Sequence, residues 1–240
     1  MLSPLLARRA EEGSPVRVGI IGTGKFGGGL IAQLSQMRGM AISAVADIDP
    51  ERAKRVLLAS GVDESAIQLV HSISEMCDVV RAGKTALVPD GLLVAQCECV
   101  DVVVEATGVP EVGARMAYEA ITHGHHVVMV NVEADVTIGP ILRRLADSAG
   151  VVYTLVDGDQ PGCTMNMIDW ARTLGFEIVA AGRGTLMFGD DRTGAPDTVP
   201  DRFGFSEELI ERRTINFKMY NSFRDGSNAQ LEMTALANMA

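Results

Sequence analysis

Short apolar runs alternate along much of the chain with stretches in which apolar residues return at helical spacing. The runs at 16–21, 42–46, 85–88, 102–105, 127–130 and 151–155 predict strands, because a strand covered on both faces reads as a continuous apolar segment. The periodic stretches at 25–37, 50–59, 74–82, 111–122 and 136–149 predict helices. In the first of these Phe26, Leu30, Ile31, Leu34 and Met37 share a face. In the last, Ile138, Ile141, Leu142, Leu145 and Ala149 do so, and Gly150 supplies the stop. Strand and helix in alternation predict an α/β domain built on a parallel sheet over 16–155, behind a polar leader ending near Pro15. The stretch 83–100 around the third run is poorly periodic and reads as a loop or short helix.

Beyond Leu155 the texture changes, and 156–240 reads as a second, α+β region for substrate binding and oligomerisation. A helix over 161–174 carries Cys163, Met167, Trp170, Ala171 and Leu174 on a stripe expected to be buried, and a strand is expected over 176–180. Residues 182–201 are rich in Gly, Asp, Thr and Pro without apolar period, a long loop of the kind that serves as a lid or contact arm. A final helix with the stripe Ala229, Met233, Leu236, Ala237 and Ala240 is still running at the last residue. That pattern fits a piece of a longer protein or a helical C-terminus.

Chemistry enters where the first run ends. Gly22-Thr23-Gly24-Lys25-Phe26-Gly27 follows that run directly, and Asp47 closes the second run twenty residues after Gly27. Gly22 permits the tight turn, Gly24 lets backbone approach a pyrophosphate, and Gly27 lets helix pack on strand, while the helix N-terminus holds the phosphates. This is a dinucleotide fingerprint, so the sheet is expected to be a doubly wound Rossmann sheet. Asp49 before Pro50 is the natural helix cap, which leaves Asp47 for the adenosine ribose hydroxyls. A carboxylate there favours NAD, and Arg52 nearby could turn to a 2′-phosphate, so NAD and NADP both stay open.

Charge narrows the partners. Twenty-one basic against thirty-one acidic residues give a net charge of −10, which excludes a broad field for nucleic acid or an anionic membrane. No stretch approaches the ~18 apolar residues of a membrane span, and residues 1–10 place arginines after their apolar stretch, the reverse of a secretory signal. A cytoplasmic protein is expected. Cys77, Cys97, Cys99 and Cys163 lack paired CxxC spacing and read as reduced structural thiols.

In an open α/β sheet ligands sit outside the carboxyl ends of the strands. That rule favours Ala106-Thr107-Gly108, then Asn131 with Glu133 and Asp135, then Asp157, and it disfavours His123, His125 and His126, which precede a strand. Glu133 and Asp135 could hold a divalent cation or a substrate hydroxyl; Asp135 alternatively caps the helix expected from Val136. A second polar concentration holds Lys218, Asn221, Arg224, Asp225, Asn228 and Glu232. There 225, 228 and 232 share one edge of a helix expected to start near Asp225, and Lys218 and Arg224 are local cations for an anionic substrate.

The fingerprint, Val104-Glu105-Ala106-Thr107-Gly108, Val130-Asn131-Val132-Glu133-Ala134-Asp135, Gly158-Asp159-Gln160-Pro161 and Lys218-Met219-Tyr220-Asn221-Ser222-Phe223 together resemble the homoserine dehydrogenase-like superfamily, within it the branch of reductoisomerase-like proteins. The resemblance implies an NADP- or NAD-dependent oxidoreductase converting 1-deoxy-D-xylulose 5-phosphate to 2-C-methyl-D-erythritol 4-phosphate with Mn²⁺ or Mg²⁺, and a homodimer. The other readings are a dehydrogenase of a homoserine-like compound and a non-catalytic nucleotide-sensing module. It implies cofactor binding at Gly22 to Gly27, Asp47, Ala106 to Gly108 and Asn131, and metal at Glu133 and Asp135. Catalysis falls to Lys218, Glu133 and Asp157, and substrate to Asn221, Arg224 and Asn228. Two features depart from the family pattern. Asn131-Val132 stands where an Asn-Lys pair is expected, so no lysine carries over there and Lys218 is left to serve; and Asp47 does not suit an NADPH-specific family, whose C-terminal SAF-type module is also not in this sequence.

Overall fold

The computed structural model describes residues 2–213 and 215–240, which form two compact units, 1–156 and 157–240. In the first, α1 (Leu2–Glu11), β1 (Val16–Ile21), α2 (Lys25–Leu34), β2 (Met40–Ala46), α3 (Pro50–Ala59), β3 (Ile67–Leu69) and α4 (Ile73–Arg81) come before β4 (Thr85–Val88) and α5 (Gly91–Gln96). They are followed by β5 (Val102–Glu105), α6 (Pro110–Thr122), β6 (His126–Met129), α7 (Val132–Ala149) and β7 (Tyr153–Leu155).

Among the described residues these strands form one parallel sheet in the order β3-β4-β2-β1-β5-β6-β7. The chain builds outward from β1 on one side, then returns to add β5 on the other. A crevice therefore opens at the carboxyl ends of β1 and β5, the switch point of a doubly wound sheet. The core that fixes this arrangement includes Val18, Ile20, Ile31, Leu34, Val45, Ala53, Leu57, Leu87 and Val104. Removing the apolar surface of one such side chain from water stabilises the fold by about 1.5–3 kcal/mol.

Several local expectations are corrected. The leader is not merely polar but holds α1, whose Leu6 carbonyl lies where a Cβ on Gly39 would be. The edge strand β3 has one half-buried and two exposed residues and carries no continuous apolar run. α5 forms because the Asp90 carboxylate accepts the Leu92 N–H at 2.9 Å. Phe26 is exposed at the surface rather than packed with the rest of its stripe. α7 starts at Val132, four residues before the expected start: the buried Asn131 side chain accepts the Ala134 N–H, so Asn131, not Asp135, caps the helix.

The second unit contains α8 (Gln160–Thr173), α9 (Val199–Phe203), α10 (Glu207–Arg213), α11 (Phe217–Arg224) and α12 (Ser227–Met239). No strand forms over 176–180, since the described residues of this unit offer no neighbouring strand to pair with it; Phe176 and Val179 are exposed. The 182–201 segment is not one open loop but folds into short 3₁₀ turns at 189–193 and 196–198 before α9. On α8 the buried side chains are Pro161 and Ile168, whereas Cys163, Met167, Trp170 and Leu174 face outward, the reverse of the expected stripe. On α12 the buried residues are Glu232, Ala235 and Leu236, with Ala237 and Ala240 exposed. Asp225 terminates α11 instead of starting α12, which Gly226 precedes at φ 85°.

Candidate functional site

The crevice in the first unit is framed by the β1–α2 turn. Gly22 has φ 96°, and a Cβ there would lie 2.7 Å from the Ala106 carbonyl oxygen. A Cβ on Gly27 would meet the Gly22 carbonyl oxygen at 2.0 Å. Both positions require glycine, one for its dihedral and both for close approach. Gly24 differs, since nothing lies within 4 Å of its added Cβ. As the N-cap residue of α2 it offers no side-chain cap, and the first turn of α2 carries no acid. Exposed Lys25 begins the helix. Free N–H groups, a positive helix end and an added cation together suit a phosphate group.

Asp47 ties this turn to the end of β2. Its Oδ2 accepts the Thr23 N–H at 2.9 Å and a short hydrogen bond from the Thr23 hydroxyl, while Oδ1 accepts the Asp49 N–H at 2.9 Å and Arg52 Nη2 at 2.6 Å. Burial opposes ionisation, but the bonds from Thr23, Asp49 and Arg52 outweigh it and hold the carboxyl below its ordinary range. Asp49 caps α3 by accepting the Arg52 N–H, so Asp47 has no capping duty.

On the other side of the crevice lies a buried carboxylate. Glu105, at the end of β5, is wholly buried; its Oε1 accepts the Thr107 N–H at 2.8 Å and a short bond from the Thr107 hydroxyl. Burial pushes its carboxyl above the ordinary range, with the two Thr107 bonds pulling the other way. A Cβ on Gly113 of α6 would lie 2.7 Å from both Glu105 Oε2 and Asn131 Nδ2. Both atoms therefore crowd one point on that helix. The only signal in the sequence was an acid ending an otherwise apolar strand.

The structure does not bring Glu133 and Asp135 together as a pair of ligands. Glu133 is exposed, whereas Asp135 is buried and accepts the Tyr153 hydroxyl at 2.7 Å. Residues two apart on a helix do not face each other. Glu133 and Asp135 thus do not fit a divalent-cation site.

In the second unit Asp157 is exposed and accepts its neighbour's N–H from Gly158 at 3.0 Å. Lys218 is exposed in the first turn of α11. Asn221 is buried and donates to the Gly194 carbonyl at 3.0 Å and to Asp225 at 2.8 Å. Arg224 donates to Asp191 at 2.9 Å and lies over the Phe188 and Phe203 rings, and Arg202 takes the other Asp191 oxygen at 2.6 Å. The Phe188 N–H and these two cations hold Asp191 below its ordinary range. Asn228 donates to Glu232 at 2.7 Å, and Arg183 pairs with the same carboxylate at 2.9 Å. Asn221, Arg224 and Asn228 are thus joined to the folded 182–201 segment or to their own helix.

Comparison with known proteins gives matches in both units. Residues 22–155 match the homoserine dehydrogenase NAD binding domain, and residues 158–240 match the catalytic domain of oxidoreductase DRL. A homoserine dehydrogenase of Methylobacillus glycogenes is 25% identical over 166 residues, 65% of this chain and 37% of that protein. The NAD binding oxidoreductase from Klebsiella pneumoniae is similar at TM-score 0.48 and 18% identity, over 67% of this chain and 39% of that one. The WlbA dehydrogenase from Bordetella pertussis, in complex with NADH and UDP-GlcNAcA, is similar at TM-score 0.47 and 21% identity, over 67% and 43%. The chain thus spans well under half the length of these relatives.

Proposed function

This chain belongs to the homoserine dehydrogenase family through its NAD-binding domain, residues 22–155, and we propose that it is an NAD(P)-dependent oxidoreductase acting on a small, polar, phosphorylated carbonyl compound. The observation that carries this reading is the open space at Gly24, beside an uncapped helix start and above a buried Asp47. A dinucleotide's pyrophosphate fills that description; the Asp47 side chain, 1% exposed under its bonds from Thr23, Asp49 and Arg52, meets the ribose hydroxyls once Arg52 turns off it. Arg52, on Asp47 at 2.6 Å and about half exposed, is placed to turn toward a 2′-phosphate, so the site accommodates either cofactor.

When bound, the nicotinamide supplies or accepts a hydride. The residues of this chain bind, orient and polarise. Asn131 and the Ala106-Thr107-Gly108 turn, held by Glu105, line the cofactor side. Lys218 delivers the proton that completes reduction of the carbonyl to an alcohol, with Glu133 and Asp157 binding substrate hydroxyls. Arg224, Asn221 and Asn228 shape the substrate region through the contacts described. The reaction in this class is reductoisomerisation of 1-deoxy-D-xylulose 5-phosphate, a reading supported by the match of residues 158–240 to the DRL catalytic domain. The homoserine dehydrogenase relative keeps oxidation of a homoserine-like alcohol as a second reading.

The test is NADPH and NADH oxidation by the full chain with 1-deoxy-D-xylulose 5-phosphate, with product identification. Formation of 2-C-methyl-D-erythritol 4-phosphate supports the reading. Homoserine-dependent reduction of NAD(P)⁺ in its place assigns the second one, and cofactor binding without either turnover refutes both in favour of another carbonyl substrate or a sensing module.

A further inference from the structure

Three of the four cysteines meet in the first unit. Cys77 lies on α4, Cys97 closes α5, and Cys99 stands two residues beyond, before β5. Their Sγ atoms all lie within 4.8 Å of one another, and all three residues are at most 4% exposed. The Cys77 and Cys97 sulfurs are 3.3 Å apart. Twenty residues separate these two, so only the packing of α4 against α5 brings them together.

Packing alone does not require three sulfurs at one point. The three thiols are packed into one buried cluster, with the Cys77 and Cys97 sulfurs within hydrogen-bond reach of each other. The cations near the cluster are paired with acids, Arg17 with Asp101 at 2.6 Å and Arg81 with Asp78 at 3.4 Å and Glu98 at 3.6 Å. The cluster holds sulfur as its sole ligand type among the described residues. Thiolate-only sites select soft ions, whereas Mg²⁺ and Ca²⁺ require oxygen.

We propose that Cys77, Cys97 and Cys99 form a buried three-thiolate site for a soft, thiophilic metal ion, of the class of Cu(I) or Cd(II). A three-coordinate ion at a metal–sulfur distance of ~2.3 Å places its sulfurs ~4.0 Å apart. The sulfurs already lie within 4.8 Å of one another, which spans that value, and the Cys77–Cys97 edge opens by about 0.7 Å to reach it. On binding, three metal–sulfur bonds form, three S–H bonds break, and the protons leave to solvent; nothing is oxidised or reduced. Around a divalent ion the shell carries one net negative charge.

The test uses the reduced full chain under nitrogen, with Cd(II) as the probe and the thiolate-to-cadmium charge-transfer absorption as the readout. The proposal expects saturation at one equivalent per chain, with the intensity of three thiolates. Cys163→Ser, which changes the exposed thiol of the other unit, should retain the full band. Cys77→Ser, Cys97→Ser and Cys99→Ser should each weaken binding at least tenfold. If those variants fail to fold, the cadmium-113 resonance of the unmodified chain still decides, since an all-sulfur site is displaced far from oxygen and nitrogen sites. No band, a band lost in Cys163→Ser, or a resonance with oxygen or nitrogen ligands overturns the proposal. So does oxidation to a Cys77–Cys97 disulfide in a chain whose reduced form binds no cadmium.

Discussion

One methyl group added at Gly24 should weaken cofactor binding alone, whereas one added at Gly27 should weaken the fold as well. At Gly27 the new Cβ would sit 2.0 Å from the Gly22 carbonyl oxygen, a backbone atom of the turn itself. The helix must move off the strand, at a cost of about 1–3 kcal/mol in stability. At Gly24 φ is −63°, which alanine adopts, and nothing lies within 4 Å of the Cβ. Losing a favourable N-cap residue costs about 1 kcal/mol or less. If a pyrophosphate packs against this backbone, the same methyl intrudes on it, and a steric cost of about 1–3 kcal/mol weakens binding by roughly 5–150-fold. Urea unfolding measures the first quantity and titration with NADH the second. The expected result is that Gly24→Ala folds nearly as well as the parent but binds NADH poorly, whereas Gly27→Ala loses both. A folded Gly24→Ala with unchanged affinity would refute the placement of the pyrophosphate.

Three further outcomes follow from named contacts. Because burial raises the Glu105 carboxyl, this group's contribution to stability is fully present below the unfolded value of about 4.3 and is lost as pH rises through the folded value. Urea profiles of Glu105→Gln relative to the parent should therefore favour the variant increasingly above pH ~4; parallel profiles would show the carboxyl is not strained by burial. Tyr153→Phe removes the 2.7 Å donor to buried Asp135 and should cost about 1–3 kcal/mol, read as a lower melting temperature, and an unchanged one would count against that bond. Lys218→Met should reduce turnover by roughly 10²-fold or more, while the melting temperature and NADH affinity stay those of the parent, because Lys218 is exposed. Undiminished turnover removes Lys218 from the mechanism.

The parts of the fold that could be read in the sequence are those whose cause is local. β1, β4 and β5 are continuous apolar runs and α3 has Asp49 and Pro50 at its start, so their limits agree with the pattern. β3 was missed because two of its three residues are exposed. Two short polar residues could cap α7, and only the hydrogen bond that buried Asn131 accepts from the Ala134 N–H decides between them. In the second unit helical period was visible, but the buried face was not. On α8 it depends on Ile168 rather than Trp170, and α8 packs on α12, which is far along the chain. The cofactor turn was legible because its glycines and Asp47 follow a fixed spacing. The Arg224–Asp191 pair and the cysteine cluster were not, since each joins residues twenty or more positions apart.

Hydride transfer is the central claim, and isotopic transfer tests it most directly. The full chain is supplied with NADH or NADPH deuterated at the transferable position of the nicotinamide, together with 1-deoxy-D-xylulose 5-phosphate, and the product is analysed by mass spectrometry. The account predicts one deuterium in the reduced product, carried by whichever cofactor binds beside Asp47 and Arg52. Saturable cofactor binding, with no deuterium delivered to this substrate or to any other small carbonyl compound, would contradict it.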